Sequence, residues 1–350
     1  MAIETLPEFD AHELVRSFYD PETGLRNIIA IHNTDLGPAV GGTRYLQYSS
    51  EEEALRDALR LSRAMTYKCA LAGVPFGGGK SVIIATGAKS SALLQAYARN
   101  LNGLGRQFFT GEDVGITQDD VDILAKKSKF IIGGLHRAGD PSPWAALGVF
   151  VSIKSALKAV FGRDDLQGRT IAIKGLGKVG GELARLLTAG GAKIIGADID
   201  PEVLKAAKSE FPDIALVDPL EIHRQAADVY SPCALGNDLT LRNVLELRCA
   251  IVCGSANNQL ASSDVGEELY RRNIVYVPDY VANSGGLINV VDELYPTGYQ
   301  RVRVASRVQE IGRTVAQILS DSRRKGLSPG AIADLMARGI LAAASRQVHV

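Results

Sequence analysis

The sequence predicts an α/β protein of two domains, one of them built on a doubly wound parallel sheet. The chain has 350 residues, which exceeds the size of most single domains. From Arg169 onward, short apolar runs alternate with helical stretches, a rhythm typical of a parallel sheet with helices on both faces. The Gly/Pro/Ser-rich segment 139–143 marks a boundary. We therefore predict domains at 1–140 and 141–325, with residues 326–350 packing back on the first domain.

The first half contains one strong helix signal between short β-like runs. Ser50 followed by Glu53 indicates a capping box, and apolar residues then recur at helical spacing to about Ala70. In chain order we predict strands at 27–32 and 41–45, the helix from Ser50, a glycine-rich turn at 77–79, a strand at 81–85, a helix at 91–101, a β-like run at 107–109 and a helix at 144–161.

The second half supplies the parallel sheet and two final helices. We expect the helix at 284–325 to bridge the domains and the helix at 329–345 to pack on the N-terminal half. The six short apolar runs that read as buried strands are 170–174, 193–198, 215–217, 229–231, 250–254 and 274–277.

Charge and hydropathy exclude several classes of protein. Lys+Arg and Asp+Glu both number 39, so the formal net charge is zero and neither nucleic acid nor an anionic membrane is expected as a partner. No run approaches eighteen apolar residues, and residues 1–10 carry acids instead of the basic start of a signal peptide. We therefore expect no membrane segment.

The cysteines indicate a reducing compartment. Four cysteines are too few for a disulfide framework in a chain this long. Cys249 and Cys253 lie in an apolar run without a nearby histidine, so we interpret them as buried thiols rather than zinc ligands. We expect no metal site and a cytoplasmic location.

Glycine is over-represented, with 36 residues where average use would give about 25. One group forms G-x-G-x-x-G after the apolar run 171–173 and before a helix, which is typical of a dinucleotide site. Asp198, at the end of the next strand, would accept hydrogen bonds from the adenosine ribose and repel a 2′-phosphate, so we predict NAD rather than NADP. The alternative is a glycine turn used only for packing. The predicted cofactor residues here are Gly175, Leu176, Gly177, Lys178, Val179, Gly180, Asp198 and Ile199.

A second glycine group precedes Lys80. It is not a P-loop, because the first glycine that the Walker motif requires would fall on Val74. No acid lies between Asp57 and Lys80, which leaves Lys68 and Lys80 in apolar surroundings. One cation can hold a carboxylate and the other can do acid–base chemistry. Two solvated lysines are the alternative. The acidic residues between glycines at 111–115, which include Asp113, are, taken alone, more often a turn device.

Six segments in this order resemble the glutamate/leucine/phenylalanine/valine dehydrogenases, over nearly the whole chain. The resemblance implies an N-terminal α/β substrate domain, a Rossmann NAD-binding domain, a cleft between them that closes for reaction, and a homo-oligomer, a dimer or an octamer, formed through the N-terminal domain. The segments are 41–44 (Gly-Gly-Thr-Arg), 65–68 (Met-Thr-Tyr-Lys), 77–80 (Gly-Gly-Gly-Lys), 112–115 (Glu-Asp-Val-Gly), 254–259 (Gly-Ser-Ala-Asn-Asn-Gln) and 283–286 (Asn-Ser-Gly-Gly).

The resemblance also implies roles for single residues. Lys68 resembles the lysine that binds the substrate α-carboxylate, Lys80 the catalytic lysine that activates water, and Asp113 the acid that handles protons of the amino group. The expected reaction is oxidative deamination of an amino acid to a 2-oxo acid and ammonia. Further expected contacts are Gly41, Gly42 and Met65 with substrate, Asn257 with substrate and nicotinamide, and Cys233, Ala234, Leu235 and Ala256 with the cofactor.

The resemblance favours a hydrophobic substrate. Val40 stands where glutamate enzymes carry a lysine, and an apolar group cannot stabilise a buried γ-carboxylate. Gly111 and Leu287 match the phenylalanine type at two positions, and Val290 is expected to line the same pocket. A methyl-sized difference is worth only about 1–3 kcal/mol, so tryptophan, leucine and valine stay open beside phenylalanine. Another class, a non-catalytic NAD-binding protein, is disfavoured by Lys68, Lys80 and Asp113.

The chain departs from the family at one point. Ala145 stands where the family carries a threonine that would face the nicotinamide carboxamide, so this chain lacks a hydroxyl group at that position. We expect the neighbouring Trp144 to belong to the core, the alternative being that it covers the nicotinamide side of the cleft.

Overall fold

A computed structural model describes residues 2–134 and 137–348, and it confirms an α/β fold with two sheets. The chain divides into two compact units. The first break falls between Asp140 and Pro141, where the Gly/Pro/Ser segment lies. The first unit comprises 1–140, 290–300 and 337–350, and the second comprises 141–289 and 301–336.

The first unit is a mixed five-stranded sheet between helices, in the order β1-β2-β4-β3-β5. Side chains of β2 alternate, with Ile28 and Ala30 in the core against α1, and Ile29 and Ile31 in the core against α2. Its elements are β1 (Leu14–Asp20), β2 (Leu25–Asn33), β3 (Ala39–Leu46), α1 (Glu51–Leu71), β4 (Gly77–Ile84), α2 (Ser91–Leu104), β5 (Phe108–Gly111) and α3 (Gln118–Ala125).

Helix α1 begins as the sequence predicts. Ser50 is its N-cap and accepts a hydrogen bond from the Glu53 N–H, which satisfies one free donor of the first turn. The helix ends at Leu71, one residue beyond the predicted end.

The glycine-rich turn predicted at 77–79 is wrong, because these glycines lie inside strand β4. They allow close packing on both faces of the strand. A Cβ on Gly78 would collide with the Thr66 backbone in α1, and a Cβ on Gly79 would lie 2.7 Å from the Phe108 ring. Glycine here brings α1 close to the sheet.

The second unit contains a six-stranded parallel sheet in the order β11-β10-β9-β6-β7-β8. Counted from β6 this is the order 3-2-1-4-5-6 of a Rossmann fold, so the predicted architecture is confirmed. Its elements are α4 (Ser142–Phe161), β6 (Thr170–Lys174), α5 (Lys178–Ala189), β7 (Lys193–Ala197), α6 (Pro201–Glu210), β8 (Ala215–Leu216), β9 (Val229–Pro232), α7 (Leu241–Val244), β10 (Ile251–Val252), α8 (Ser263–Arg271), β11 (Val275–Tyr276), α9 (Asp279–Ala282), most of α10 (Gly285–Val291), α11 (Arg301–Lys325) and the first part of α12 (Pro329–Val348). The end of α10, from Val290, and the rest of α12, from Ala337, belong to the first unit.

The single helix predicted at 284–325 is wrong. Helix α10 ends at Val291, and α11 begins only at Arg301. Pro296 and Gly298, which has φ +69°, lie between them and cannot continue a helix.

Helix α4 is long and apolar enough to cross a membrane by length and composition alone. It instead packs against α5 and α11 within the second unit, and Ser155 Oγ donates a 2.8 Å hydrogen bond to the Gly312 carbonyl of α11. This is the environment of a core helix in a folded domain.

Candidate active site

An ion pair between Lys80 and Asp113 is the centre of the first unit's candidate site. Lys80 lies in β4 and is 6% exposed, and its Nζ donates to Asp113 Oδ2. Asp113 follows the end of β5. A buried lysine and a largely buried carboxylate in direct contact can exchange a proton.

Two adjacent glycines leave room for this pair. A Cβ on Gly42 would lie 2.8 Å from Asp113 Cβ, closer than any side chain tolerates. A Cβ on Gly41 would lie 3.4 Å from Met65 Cγ and would collide with the Gly79 carbonyl. The structure therefore brings Gly41, Gly42, Met65, Lys80 and Asp113 together.

Lys68 lies one turn beyond Met65 in the last turn of α1. Residues three apart on a helix share a face, so the ammonium of Lys68 and the thioether of Met65 are presented to the same side. Lys68 is half-buried.

The electrostatics of the site keep Asp113 ionised. Burial alone would raise the pKa of Asp113, but the charges of Lys80 and Arg44 outweigh it and hold that pKa below its ordinary value. Arg44 belongs to the Gly-Gly-Thr-Arg motif, which by itself implies no separate role for it. Its Nε lies 3.5 Å from Asp113 Oδ2 and its Nη1 lies 2.8 Å from Asp57 Oδ2.

Two predicted pocket residues have different surroundings from those expected. Val40 is fully buried in β3 between β4 and β5, so it exposes no surface to a ligand. A Cβ on Gly111 would point at the Ile132 carbonyl oxygen at 2.5 Å, not into open space. A close backbone contact therefore explains Gly111. The direction of its Cβ does not indicate the extra room for an aromatic ring that the sequence predicts.

Val290 lies in the first unit beside the segment that follows Ile132. A Cβ on Gly133, where φ is +81°, would lie 3.3 Å from Val290 Cγ1. Glu293 accepts hydrogen bonds from the Ala138 N–H at 2.8 Å and the Gly133 N–H at 3.4 Å. Burial raises the pKa of Glu293. Glu293, which no sequence motif marks, thus holds the backbone next to Val290.

The second unit presents its candidate cofactor residues at the carboxyl ends of its strands. Gly175 follows β6 with φ +93°, which requires glycine, and a Cβ on Gly180 would collide with the Gly175 carbonyl. Gly177 caps α5, and nothing lies within 4 Å of the position its Cβ would take. No side chain among the described residues caps this helix start.

Asp198 joins the glycine loop to the end of β7. Its carboxylate accepts a 2.7 Å hydrogen bond from the Leu176 N–H and a 3.0 Å bond from the Asp200 N–H. Beside it Ile199 is 86% exposed, and Leu235, after β9, is 83% exposed. Apolar side chains this exposed suit contact with a ring system. Lys178 and Ala234 are also exposed, Val179 and Cys233 are half-buried, and Ala256 is buried.

Asn257 is oriented by a second asparagine. The buried Asn283 donates a 2.7 Å hydrogen bond from Nδ2 to Asn257 Oδ1 and another, at 3.2 Å, to the Ser255 carbonyl. This leaves the Asn257 amide NH₂ available as a donor. Leu287 is half-buried in the same unit.

Trp144 is not a core residue, contrary to expectation. It is half-buried, and the Arg301 guanidinium lies 5.8 Å from the centre of its ring, a cation–π arrangement. The neighbouring Ala145 is half-buried.

These residues fit a dinucleotide. The open space at Gly177, next to the start of a twelve-residue helix, is where backbone N–H groups and the helix dipole favour a pyrophosphate. Asp198 retains lone pairs for ribose hydroxyls after accepting its two backbone bonds.

Two protein-family models match the chain. The model described as "Glu/Leu/Phe/Val dehydrogenase, dimerisation domain" matches residues 12–131, and the model described as "Glutamate/Leucine/Phenylalanine/Valine dehydrogenase" matches residues 198–325.

Individual proteins of known activity resemble nearly all of the chain. Leucine dehydrogenase from Bacillus cereus is 44% identical over 339 residues, covering 95% of this chain and 92% of the relative. Phenylalanine dehydrogenase from Caldalkalibacillus thermarum is 40% identical over 337 residues, covering 94% and 90%. The crystal structure of L-tryptophan dehydrogenase from Nostoc punctiforme matches with a TM-score of 0.85 at 39% identity, covering 96% of this chain and 97% of that one.

Proposed function

The chain belongs to the glutamate/leucine/phenylalanine/valine dehydrogenase family of amino-acid dehydrogenases, and from this premise we propose that it oxidatively deaminates an apolar L-amino acid with NAD. The products are the 2-oxo acid and ammonia, and the reaction is reversible. The observation that carries the proposal is the buried Lys80–Asp113 pair beside Gly41, Gly42 and Met65. Packing alone does not require a buried lysine bonded to a carboxylate in a glycine-lined site.

Each polar side chain has a separate task in the proposed mechanism. Lys68 binds the substrate α-carboxylate as a point charge. Asp113, held as a carboxylate, accepts a proton from the substrate ammonium group and so frees the nitrogen lone pair. When bound, NAD supplies the acceptor for the hydride that leaves Cα.

Hydrolysis of the resulting iminium then uses both members of the pair. Lys80 in its amine form accepts a proton from water as the water oxygen bonds to Cα, which gives a carbinolamine. Asp113 returns its proton to the nitrogen, the Cα–N bond breaks and ammonia departs. As the carbonyl group of the 2-oxo acid forms, Lys80 passes the proton it took from water to the Asp113 carboxylate through their direct contact, and the Lys80 amine accepts the hydroxyl proton of the carbinolamine.

The cofactor proposal rests on the glycine loop and Asp198. The residues that would hold NAD are Gly175 to Gly180 at the pyrophosphate, Asp198 and Ile199 at the adenosine, and 233–235 with Ala256 and Asn257 along the rest. The Asp198 carboxylate, fixed by the Leu176 N–H, would repel the extra phosphate of NADP.

The substrate class is apolar, with phenylalanine favoured. Val40 places no cation at the position where glutamate enzymes carry a lysine, and Leu287 resembles the phenylalanine type. Gly111 resembles that type in sequence only, because its Cβ direction points at the Ile132 carbonyl oxygen. Leucine, tryptophan and phenylalanine dehydrogenases all resemble the chain, so these three substrates are direct competitors.

We also propose a homo-oligomer, a dimer or an octamer, that forms through the first unit and works in the cytoplasm. The family model that matches residues 12–131 is described as a dimerisation domain. All four cysteines are free, as in proteins of reducing compartments. The mass of the purified protein, measured by light scattering, tests the assembly; a monomer would contradict it.

A substrate panel tests the activity. NADH formation from NAD is followed with phenylalanine, tryptophan, leucine, valine and glutamate. We expect the highest kcat/KM with phenylalanine and none with glutamate. Absence of turnover with every amino acid would support the non-catalytic alternative, and a preference for valine would contradict the substrate proposal.

A further inference from the structure

Arg44 occupies a position that the proposed mechanism leaves without a role. It lies in β3, two residues after Gly42, and its guanidinium contacts two carboxylates from different parts of the first unit. Nη1 lies 2.8 Å from Asp57 Oδ2 on α1, and Nε lies 3.5 Å from Asp113 Oδ2 in the loop after β5. All three side chains are less than one-fifth exposed, so water screens these charges weakly.

Asp57 is bound by other donors besides Arg44. Its Oδ1 accepts a 2.7 Å bond from Arg60 Nη2, and its Oδ2 accepts a 2.7 Å bond from the Tyr48 hydroxyl as well as the bond from Arg44. The charge of Asp57 is therefore shared among three donors. Part of the Arg44 charge remains available to Asp113.

The Nε of Arg44 is buried and makes no hydrogen bond to any described residue. Its nearest carboxylate oxygen is Asp113 Oδ2, at 3.5 Å, which is beyond a good hydrogen bond and within ion-pair distance. A buried guanidinium N–H of this kind is costly unless a nearby negative charge compensates for it. Asp113 supplies that charge.

We propose that Arg44 is a positioning residue for the reaction: it keeps Asp113 ionised and aimed at Lys80, so that Asp113 can accept the substrate's proton. This inference rests on the proposed function. Asp113 is approached by Lys80 from β4 and by Arg44 from β3, so its carboxylate is held between two cations.

The charges around Asp113 support this role. Burial opposes ionisation of Asp113, and Lys80 and then Arg44 are the charges that most favour it, with a net lowering of its pKa. Burial likewise opposes the charged form of Arg44, yet Asp113 and Asp57 raise the pKa of Arg44 overall. The groups facing this cluster are Lys80, Asp57, Arg60 and Tyr48.

The test compares Arg44→Gln, Arg44→Lys and the wild type by the pH dependence of kcat. Without the second cation, Asp113 is protonated over a wider range of pH, so the acidic limb of the Arg44→Gln profile moves to higher pH. We expect kcat about tenfold below wild type on the acidic side, recovering toward wild type at alkaline pH, with KM changed less than about threefold. Arg44→Lys keeps the charge and returns the limb toward its wild-type position. A loss of kcat that is equal at every pH would show a merely structural role and overturn the inference.

Arg60→Gln is the matched control, because the carboxylate that Arg60 contacts is that of Asp57. Its acidic limb should coincide with that of wild type. A shift in Arg60→Gln equal to that of Arg44→Gln would overturn the specific role of Arg44.

Infrared titration of the Asp113 carboxyl, assigned with Asp113→Asn, separates this inference from the proposed function. The carboxyl should protonate at higher pH in Arg44→Gln than in wild type, whether or not any amino acid is a substrate. Equal titration in the two proteins overturns the Arg44 inference alone. A wild type that turns over none of the amino acids overturns the proposed function alone.

Discussion

Lys80 and Asp113 can meet only because neighbouring backbone positions lack side chains. Gly42 leaves the space that Asp113 Cβ occupies, and Gly41 lies against Met65 and the Gly79 carbonyl. The cost of burying Lys80 is offset by the carboxylate it contacts. The glycines and the ion pair are therefore interdependent in this site, so substituting Gly41 or Gly42 should disturb the contact between Lys80 and Asp113.

Lys80→Ala tests the catalytic proposal at the residue level. Removing the Lys80 amino group leaves no base to accept a proton from water, so we expect turnover to fall at least 10²-fold while NADH binding, measured by fluorescence, survives. Lys89→Ala is the matched control, since it removes another lysine–aspartate pair, to Asp120, from the same unit. Lys89→Ala should retain turnover. Equal losses in both variants would contradict the special role of Lys80.

The contribution of single residues could be predicted only in part. Lys68, Lys80 and Asp113 could be proposed from the sequence because they stand in ordered motifs that resemble those of the family. Arg44 was not assigned a role, because an arginine at the end of a strand is normally solvated, and only the folded chain brings it to Asp57 and Asp113.

Gly111→Ala distinguishes a backbone contact from a pocket wall. The added Cβ would lie 2.5 Å from the Ile132 carbonyl oxygen, so either the chain or Ile132 must move. We expect a loss of stability of about 1–3 kcal/mol, measured by urea denaturation. The ratio of phenylalanine to leucine turnover is measured in the same variant. A stable variant with a clean shift toward leucine would restore the pocket explanation.

Gly103→Ala controls for this experiment. Gly103 lies in α2 with nothing within 4 Å of its Cβ position. Alanine there should leave stability unchanged or raise it by up to about 1 kcal/mol.

At the level of elements, two buried histidines hold the N-terminal segment, β2 and α1 together. His12 Nε2 lies 3.0 Å from both the Leu59 carbonyl and Ser62 Oγ, and His32 Nδ1 lies 2.9 Å from Thr66 Oγ1. The two rings meet edge to face with centres 4.9 Å apart. Two positive charges at this distance would repel, so the packing requires neutral rings.

The histidines make stability fall in mild acid. Burial, followed by the neighbouring His12, lowers the pKa of His32 from 6.5 to about 4. In the unfolded chain His32 binds a proton near pH 6.5, whereas in the folded chain its ring stays neutral down to about pH 4. The free energy of unfolding therefore falls as the pH falls through this range. The loss should be about 3 kcal/mol.

His32→Gln removes this titration and can still bond Thr66. We expect the urea midpoint of the variant to change less than that of wild type between pH 7 and pH 4.5. An equal change in the urea midpoint of the two proteins would contradict the role of His32 in acid destabilisation.

Elements with a strong local signal were predicted, and those that depend on partners were not. Helix α1 has a cap and an amphipathic repeat, and both are recognisable from sequence. Strand β1 was missed because it is an edge strand with mostly half-exposed side chains, paired only with β2. Helix α3 was also missed, although Thr117 and Asp120 form a capping box that could have located it.

At the level of the whole molecule, the topology of the second sheet brings the candidate cofactor residues to one edge. In a parallel sheet all carboxyl ends lie at one edge, so the loops after β6, β7, β9 and β10 converge there. The βαβ rhythm therefore predicted the sheet, and it predicts a candidate cofactor site at this edge. The return of residues 290–300 to the first unit could not be predicted, because it depends on long-range contacts such as Glu293 with Ala138.

Cofactor choice should be measurable as a change in the stability of the whole protein. A ligand that binds only the folded state stabilises it by about 2.7 kcal/mol at a hundred times its Kd, so NADH should raise the melting temperature more than NADPH at equal concentration. Asp198→Asn keeps an oxygen that can accept from the Leu176 N–H but removes the charge that disfavours a 2′-phosphate. Compared with wild type, we expect NADH to raise the melting temperature of the variant less and NADPH to raise it more. Asp213→Asn, which removes the same charge from an exposed position after α6, should leave both shifts as in wild type. If NADPH stabilised the wild type as strongly as NADH, Asp198 would not select the cofactor.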